Sequence, residues 1–230
     1  MSGSSAGFLT VLALLAGVAV SNAGSANSGT FPSPAVDTPI SSQKGEQTAV
    51  FAGGCFWGIQ AVFQHVKGVI SATSGYSGGA AKTAEYELVS SGETGHAESV
   101  KVVYDPSQIT YGQLLRVFFS VAHDPTQLNR QGPDTGSQYR SVVFYSTDEQ
   151  KRIAEAYIAQ LGQTKVYSNK IVTQVVPLQG FYAAEAYHQD YAIRHPNQPY
   201  IVYNDAPKVE HLREQLPELY SGNAVEAKKH

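Results

Sequence analysis

The chain is predicted to fold as a mixed domain of the α/β (α+β) class, with one sheet covered by helices. Short β-patterned runs recur near residues 48–52, 100–104, 140–145 and 172–177, and stretches of helical periodicity separate them. Hydrophobic residues make up 42% of the chain and charged residues 15%, so a packed core is within reach. At 230 residues without an internal repeat, one large domain is the natural reading.

Thr48-Ala49-Val50-Phe51-Ala52 reads as a strand, Gly53-Gly54 as a tight turn, and Phe56 to Val66 as a helix. Val100, Val102 and Tyr104 alternate with Ser99 and Lys101 in a strand that Asp105-Pro106 ends. Thr110 with Gln113 forms a capping box, and Leu114, Val117, Phe118 and Val121 line one helix face that stops before Asp124-Pro125. Residues 124–138 form a long polar loop of the kind that carries function. Arg140 to Tyr145 is a strand. A second capping box, Thr147 with Gln150, starts a helix striped by Ile153, Tyr157 and Leu161 and ended by Gly162. A strand over Val172–Pro177, a short helix over Ala183–Tyr191, an extended tail at Pro196 and Pro199, and a surface helix over Lys208–Leu219 complete the series.

The N-terminal segment reads differently. Phe8 to Val20 is apolar and is followed by Ser21-Asn22-Ala23, so residues 1–23 have the form of a secretory signal peptide, although no Lys or Arg precedes the apolar stretch. Residues 24–46 are rich in Ser, Gly, Ala and Pro and read as a flexible leader, leaving 47–230 as a single domain. The expected location is therefore the periplasm or the medium, or the membrane surface if the segment is not cleaved. A net charge of −3 without a basic cluster excludes nucleic acid as the natural partner. One cysteine cannot build a structural zinc site, and the histidines lack ligand spacing, so no metal or other cofactor is expected.

That lone cysteine, Cys55, lies in Gly53-Gly54-Cys55-Phe56-Trp57-Gly58, at the first turn of the predicted helix. A free cysteine is commonly a small buried hydrophobe. A thiol among the unpaired N–H groups of a helix start has a second reading, as a nucleophile of lowered pKa. Four other segments hold polar groups that periodicity does not explain: Tyr86-Glu87, Gly95-His96-Ala97-Glu98, Gly132 to Arg140 with Asp134 and Tyr139, and Tyr187-His188-Gln189-Asp190-Tyr191. Each residue singly has a structural reading: core tyrosines, satisfied histidines, a strand-edge carboxylate at Glu98 and a turn residue at Asp134.

Taken together these segments resemble the A-type peptide methionine sulfoxide reductases. The likeness rests on Gly54-Cys55-Phe56-Trp57-Gly58, Thr94-Gly95-His96-Ala97-Glu98, His123-Asp124-Pro125-Thr126-Gln127, Gly136-Ser137-Gln138-Tyr139-Arg140-Ser141 and Tyr187-His188-Gln189-Asp190-Tyr191, in the family's order. The resemblance implies a helix-flanked mixed sheet with a two-layer ferredoxin-like core. It implies reduction of methionine-S-sulfoxide, free or in proteins, as repair of oxidative damage. By position Cys55 matches the nucleophile, Glu98 the proton donor, Tyr86 and Tyr139 the tyrosines that bind the sulfoxide oxygen, and Asp134 the acid beside them. Phe56 and Trp57 match the apolar wall for the substrate methyl group, with Gly54 and His188 as further substrate contacts.

Those residue types suit the chemistry. Thiolate attack on a sulfoxide sulfur needs a proton delivered to the oxygen, which a carboxylic acid kept neutral by an apolar pocket can supply. Two phenols then donate to the developing oxyanion. The chain departs from many members in having no resolving cysteine, so the Cys55 sulfenic acid requires an external thiol, a thioredoxin-like protein or a small molecule. Ala183 and Ala186 stand where Pro and an acidic residue are expected. A monomer is expected. The competing readings are a thiol peroxidase, a cysteine hydrolase pairing Cys55 with a histidine, and a non-catalytic domain whose aromatic cleft binds methionine-like side chains.

Overall fold

A computed structural model describes residues 31–227, together with Met1 and Gly3. The signal-peptide reading of residues 1–23 lies outside the described residues, Met1 and Gly3 aside.

Strand β1 (Gln47–Ala52) leads into helix α1 (Phe56–Gln64), which returns to β2 (Val69–Ser77). A one-turn helix, α2 (Tyr86–Val89), precedes β3 (Ala97–Tyr104), and α3 (Tyr111–Val117) runs on into a π turn at Phe118–Ala122. Two short strands, β4 (Arg130–Gln131) and β5 (Asp134–Thr135), pair with each other inside the segment read as a loop. Then come β6 (Val142–Tyr145), α4 (Asp148–Thr164), β7 (Gln174–Pro177), β8 (Phe181–Ala183), α5 (Tyr191–Arg194) and α6 (Ala206–Gln215).

The main sheet has the order β7-β6-β1-β3-β2-β8. Its pairs are antiparallel except β6 with β7, which run parallel because α4 carries the chain back across the sheet. The inner four strands in the order β6-β1-β3-β2, with α1 and α3 as crossovers, form the expected ferredoxin-like core. One face of the sheet carries the larger core. There Phe51 of β1 stacks on Phe63 of α1 (5.3 Å between ring centroids) and on Phe118 of the π turn (4.9 Å). The other face gathers the smaller cluster of Val50, Ala52, Ala97, Val142 and Phe144.

Several local expectations hold. Thr110 and Gln113 form the reciprocal capping box, and α3 ends before Asp124. Others are corrected. Thr147 caps Gln150 N, but the Gln150 side chain accepts from Ser146 N, so that box is not reciprocal. α4 passes Gly162 and ends at Thr164, where Lys165 takes a left-handed conformation. No helix spans Ala183–Tyr191. Phe181–Ala183 pairs with the free edge of β2, a 3-10 turn covers Ala186–His188, and helix begins only at Tyr191.

The described part of the segment read as a flexible leader, residues 31–46, is docked on the domain. The Asp37 carboxylate accepts from Gly112 N (2.8 Å) and from the Thr110 hydroxyl, at the start of α3. Pro32 O accepts from the Tyr157 hydroxyl and Phe31 O from Arg116 Nε, so α3 and α4 both hold this strap. Among the described residues no helix is long and apolar enough to cross a membrane.

α1 is covered on its outer side by the C-terminal segments. Buried Gln60 and Gln64 on this helix explain how. Gln60 Nε2 donates to Ala72 O (3.0 Å) and to Gln189 Oε1 (3.1 Å), and its Oε1 accepts from Asp190 N (3.0 Å). Gln64 donates to Asp190 Oδ1 at 2.6 Å. Gln189 also bonds Ser74 and Ala184, so residues 184–191 are fixed against α1 and β2.

Candidate active site

The turn from β1 to α1 sets Cys55 as the residue before the helix, 9% exposed. Close packing shapes this turn. A Cβ on Gly53 would lie 2.7 Å from the His123 ring, and one on Gly54 (φ +98°) 2.5 Å from Gln131 Cγ. Cys55 does not cap the helix with its side chain. The buried Glu98 carboxyl does so from β3, its Oε2 accepting from Phe56 N at 3.0 Å.

Burial first, then the charges of Asp134 and Asp205, push Glu98 up to about 8, against the pull of the Phe56 N–H. It is thus a carboxylic acid holding its proton at neutral pH. The lowered thiol pKa expected for Cys55 is reversed. Burial above all, then the carboxylates of Glu98 and Asp205, raise it well above the usual thiol range, while the Trp57 N–H and Lys208 pull it down. The helix start does not offset desolvation in a pocket that already contains acids.

The remaining predicted residues converge here. Tyr86 opens α2, and Tyr139 ends a 3-10 turn (Ser137–Tyr139) that Arg140 secures by donating to His96 O, Gly95 O and Ser137 O. Burial raises both phenols, and the charges of Glu98 and Cys55 raise them further. The Tyr86 ring packs on His188 at 4.5 Å. Asp134 on β5 accepts from the Tyr200 hydroxyl. Phe56 packs on Tyr76 (5.8 Å) and edge-on to His188 (5.0 Å). Trp57 stacks on Tyr191 at 3.8 Å and donates from its indole to His188 Nδ1 at 3.2 Å. Burial lowers the His188 pKa, consistent with a neutral ring that accepts this bond. Cys55, Glu98, Tyr86, Tyr139, Asp134, Phe56, Trp57, Gly54 and His188 therefore form one constellation.

His96 lies apart: its ring nitrogens contact Gly79 N and Ala80 O and fix a turn. With His188 committed to Trp57, neither histidine is arranged as the base of a cysteine hydrolase.

Sequence reasoning missed Tyr200, Glu185, Asp205 and Lys208, and gave Tyr191 no role of its own within its segment. Glu185 accepts from the Tyr76 hydroxyl (2.8 Å) and from Tyr86 N (2.9 Å), so it sets where α2 begins. Tyr200 lies edge-on to Trp57 at 6.0 Å. Its signal was available, an aromatic that opens the apolar run Tyr200-Ile201-Val202-Tyr203 after Asn197-Gln198-Pro199.

Similarity to known proteins points one way. The profile of a family described as peptide methionine sulfoxide reductase matches residues 47–219. A protein named peptide methionine sulfoxide reductase MsrA 2 from Mesorhizobium japonicum is 60% identical over 181 residues, covering 79% of this chain and 93% of that one. Its namesake from Synechocystis is 52% identical, covering 80% and 87%. Among solved structures, Mxr1 from Saccharomyces cerevisiae in reduced form superposes with a TM-score of 0.60 at 32% identity, covering 70% of this chain and 91% of that one. Methionine sulfoxide reductase A of Corynebacterium diphtheriae does so with 0.59 at 36%, covering 68% and 78%.

Proposed function

The chain belongs to the peptide methionine sulfoxide reductase family and reduces methionine sulfoxide to methionine, and from that premise we propose that Cys55 is the nucleophile and Glu98 the acid. The observation that carries the assignment is the neutral Glu98 carboxyl bonded to the first N–H of the helix that Cys55 precedes.

In the proposed cycle the Cys55 sulfur attacks the electrophilic sulfoxide sulfur. Glu98 gives its proton to the oxygen as charge develops, and Tyr86 and Tyr139 donate hydrogen bonds to the same atom. The oxygen passes to Cys55 as methionine leaves, and the thiol proton restores Glu98. The step reads sulfoxide plus thiol to sulfide plus sulfenic acid, with no net proton taken up. Raised pKa values on both groups suit this exchange, because the resting site keeps both protons until substrate arrives. Phe56 and Trp57 hold the methyl group and set the preference for the S epimer; Asp134, anchored by Tyr200, adds the charge that keeps Glu98 protonated.

Two external thiols then convert the sulfenic acid to thiol, water and a disulfide. With one cysteine in the chain, that donor is a thioredoxin-like protein or a small thiol. The apolar stretch Phe8 to Val20 supports export, and hence a donor that works outside the cytoplasm.

The test incubates the full chain with dithiothreitol and separated S and R epimers of a methionine sulfoxide peptide, following methionine by mass. Turnover of the S epimer alone, lost in Cys55→Ser, is expected. Turnover of both epimers alike would overturn the specificity, and activity surviving in Cys55→Ser the nucleophile.

A further inference from the structure

Gly58 occupies the first turn of α1, where alanine would be the better helix former by about 1 kcal/mol. Its environment explains the choice. A Cβ there would collide with Asp205 Oδ1 and come within 2.6 Å of Lys208 Nζ. These two side chains form a pair at 3.1 Å, with Asp205 fully buried and the Lys208 side chain 18% exposed, pressed against the helix turn that Cys55 begins.

The tail is shaped to deliver them. Ile201–Asp205 is a π turn, a form often found at functional sites, and it ends at Asp205 before Pro207 sets the first turn of α6. Ile201 and Asp205 face inward from this turn while Val202 and Tyr203 face solvent. Asp205 Oδ2 has no hydrogen-bond partner, an expensive arrangement for stability alone.

We infer that Asp205 and Lys208 are positioning residues for the reductase reaction, a charge pair behind the helix turn that balances the thiol and thiolate forms of Cys55. This rests on the reading of Cys55 as the nucleophile. Lys208 favours the thiolate and Asp205 opposes it, so the pair holds the nucleophile between premature ionisation and inertness. The groups that face Cys55 from the other elements are Glu98 of β3, Tyr86 of α2, Tyr139 of the 3-10 turn and Tyr200 of the tail, with Asp134 of β5 acting on Glu98. Two groups pull the thiol toward the thiolate, the backbone N–H of Trp57 and the ammonium of Lys208, and of these only Lys208 carries a charge.

The test exploits opposite signs. Because Cys55 is the sole cysteine, its rate of alkylation by iodoacetamide at pH 9 reports its thiolate fraction directly. Lys208→Met is expected to slow alkylation about tenfold and Asp205→Asn to speed it about tenfold, with Lys208→Arg close to wild type. A pair that only braces the fold would move both disrupting variants in the same direction. That result, or no change in either with circular dichroism unaltered, overturns the inference. If Lys208→Met does not fold, Asp205→Asn decides alone: alkylation unchanged or slowed refutes it. Sulfoxide turnover by wild type, measured alongside, tests the reductase reading separately.

Discussion

The Phe56 amide donates to the Glu98 carboxyl at 3.0 Å, so the proposed acid also caps the helix that presents the nucleophile. One carboxyl thereby fixes the relative position of β3 and α1 at the reacting centre. Its proton and its place in the fold are both at stake in any substitution.

The first prediction concerns that proton. With Glu98 raised to about 8, kcat/KM is expected to fall as pH rises through that value, because the acid form is lost. Glu98→Gln keeps a hydrogen-bond acceptor for Phe56 N but cannot protonate the oxygen. A loss of roughly a hundredfold in kcat/KM is expected, together with disappearance of this limb. A variant with full activity would remove Glu98 from its role.

Tyr200→Phe deletes the hydroxyl that Asp134 accepts from and leaves the ring against Trp57. A hydrogen bond to a charged acceptor contributes about 1.5–3 kcal/mol, so a roughly tenfold or larger fall in kcat/KM is expected from steady-state assays. Unchanged kinetics would mean that Asp134 does not depend on the tail.

His123 gives a stability signature in acid. Its ring is buried on Phe118, contacting Phe118 O and the Ser141 hydroxyl, and burial lowers its pKa from 6.5 to about 4. Above 6.5 both folded and unfolded chains hold it neutral; between 6.5 and 4 only the unfolded chain binds the proton. Stability is therefore full above 6.5 and lost as pH falls toward 4, by about 3 kcal/mol. Glu98 acts with the opposite sign, its contribution present below 4.5 and lost as pH rises through about 8. Urea midpoints from pH 4 to 7 for wild type, Glu98→Gln and His123→Asn separate the two; an acid limb as steep in His123→Asn would reassign it.

Asp37→Ala tests the docked strap. It removes the acceptor for Gly112 N and the Thr110 hydroxyl while touching nothing in the site. A loss of about 1–2 kcal/mol in urea unfolding is expected, with kcat/KM unchanged. An unchanged midpoint would return residues 31–46 to a leader that merely rests on the surface.

The sequence made the site legible where its residues sit in local motifs, and obscured it where burial depends on distant segments. Cys55 could be read because Gly53-Gly54 and the following helix mark its surroundings, while Glu98 and Tyr139 were assigned through the family resemblance of their segments. β2 was not read, since Val69–Ser77 mixes Ser, Thr and Gly with few apolar residues, although nearly all of it is buried in the sheet. The helix expected over Ala183–Tyr191 does not form, because the open edge of β2 recruits Phe181–Ala183 as a strand. Asp205 had the look of an ordinary residue before Ala206-Pro207; only the π turn directs it inward. The direction of the Cys55 shift failed for a related reason, since desolvation is a property of the assembled pocket and not of the helix start.

Cys55 is 9% exposed, so in the proposed cycle substrate and reductant meet its sulfur over the same small patch of surface. Methionine must vacate it before a donor thiol can reach the oxidised sulfur, so the two half-reactions alternate in time and each visitor excludes the other. Within that cycle a rise in sulfoxide concentration slows regeneration by occupying the patch. Starved of donor, each molecule repairs one methionine and stops.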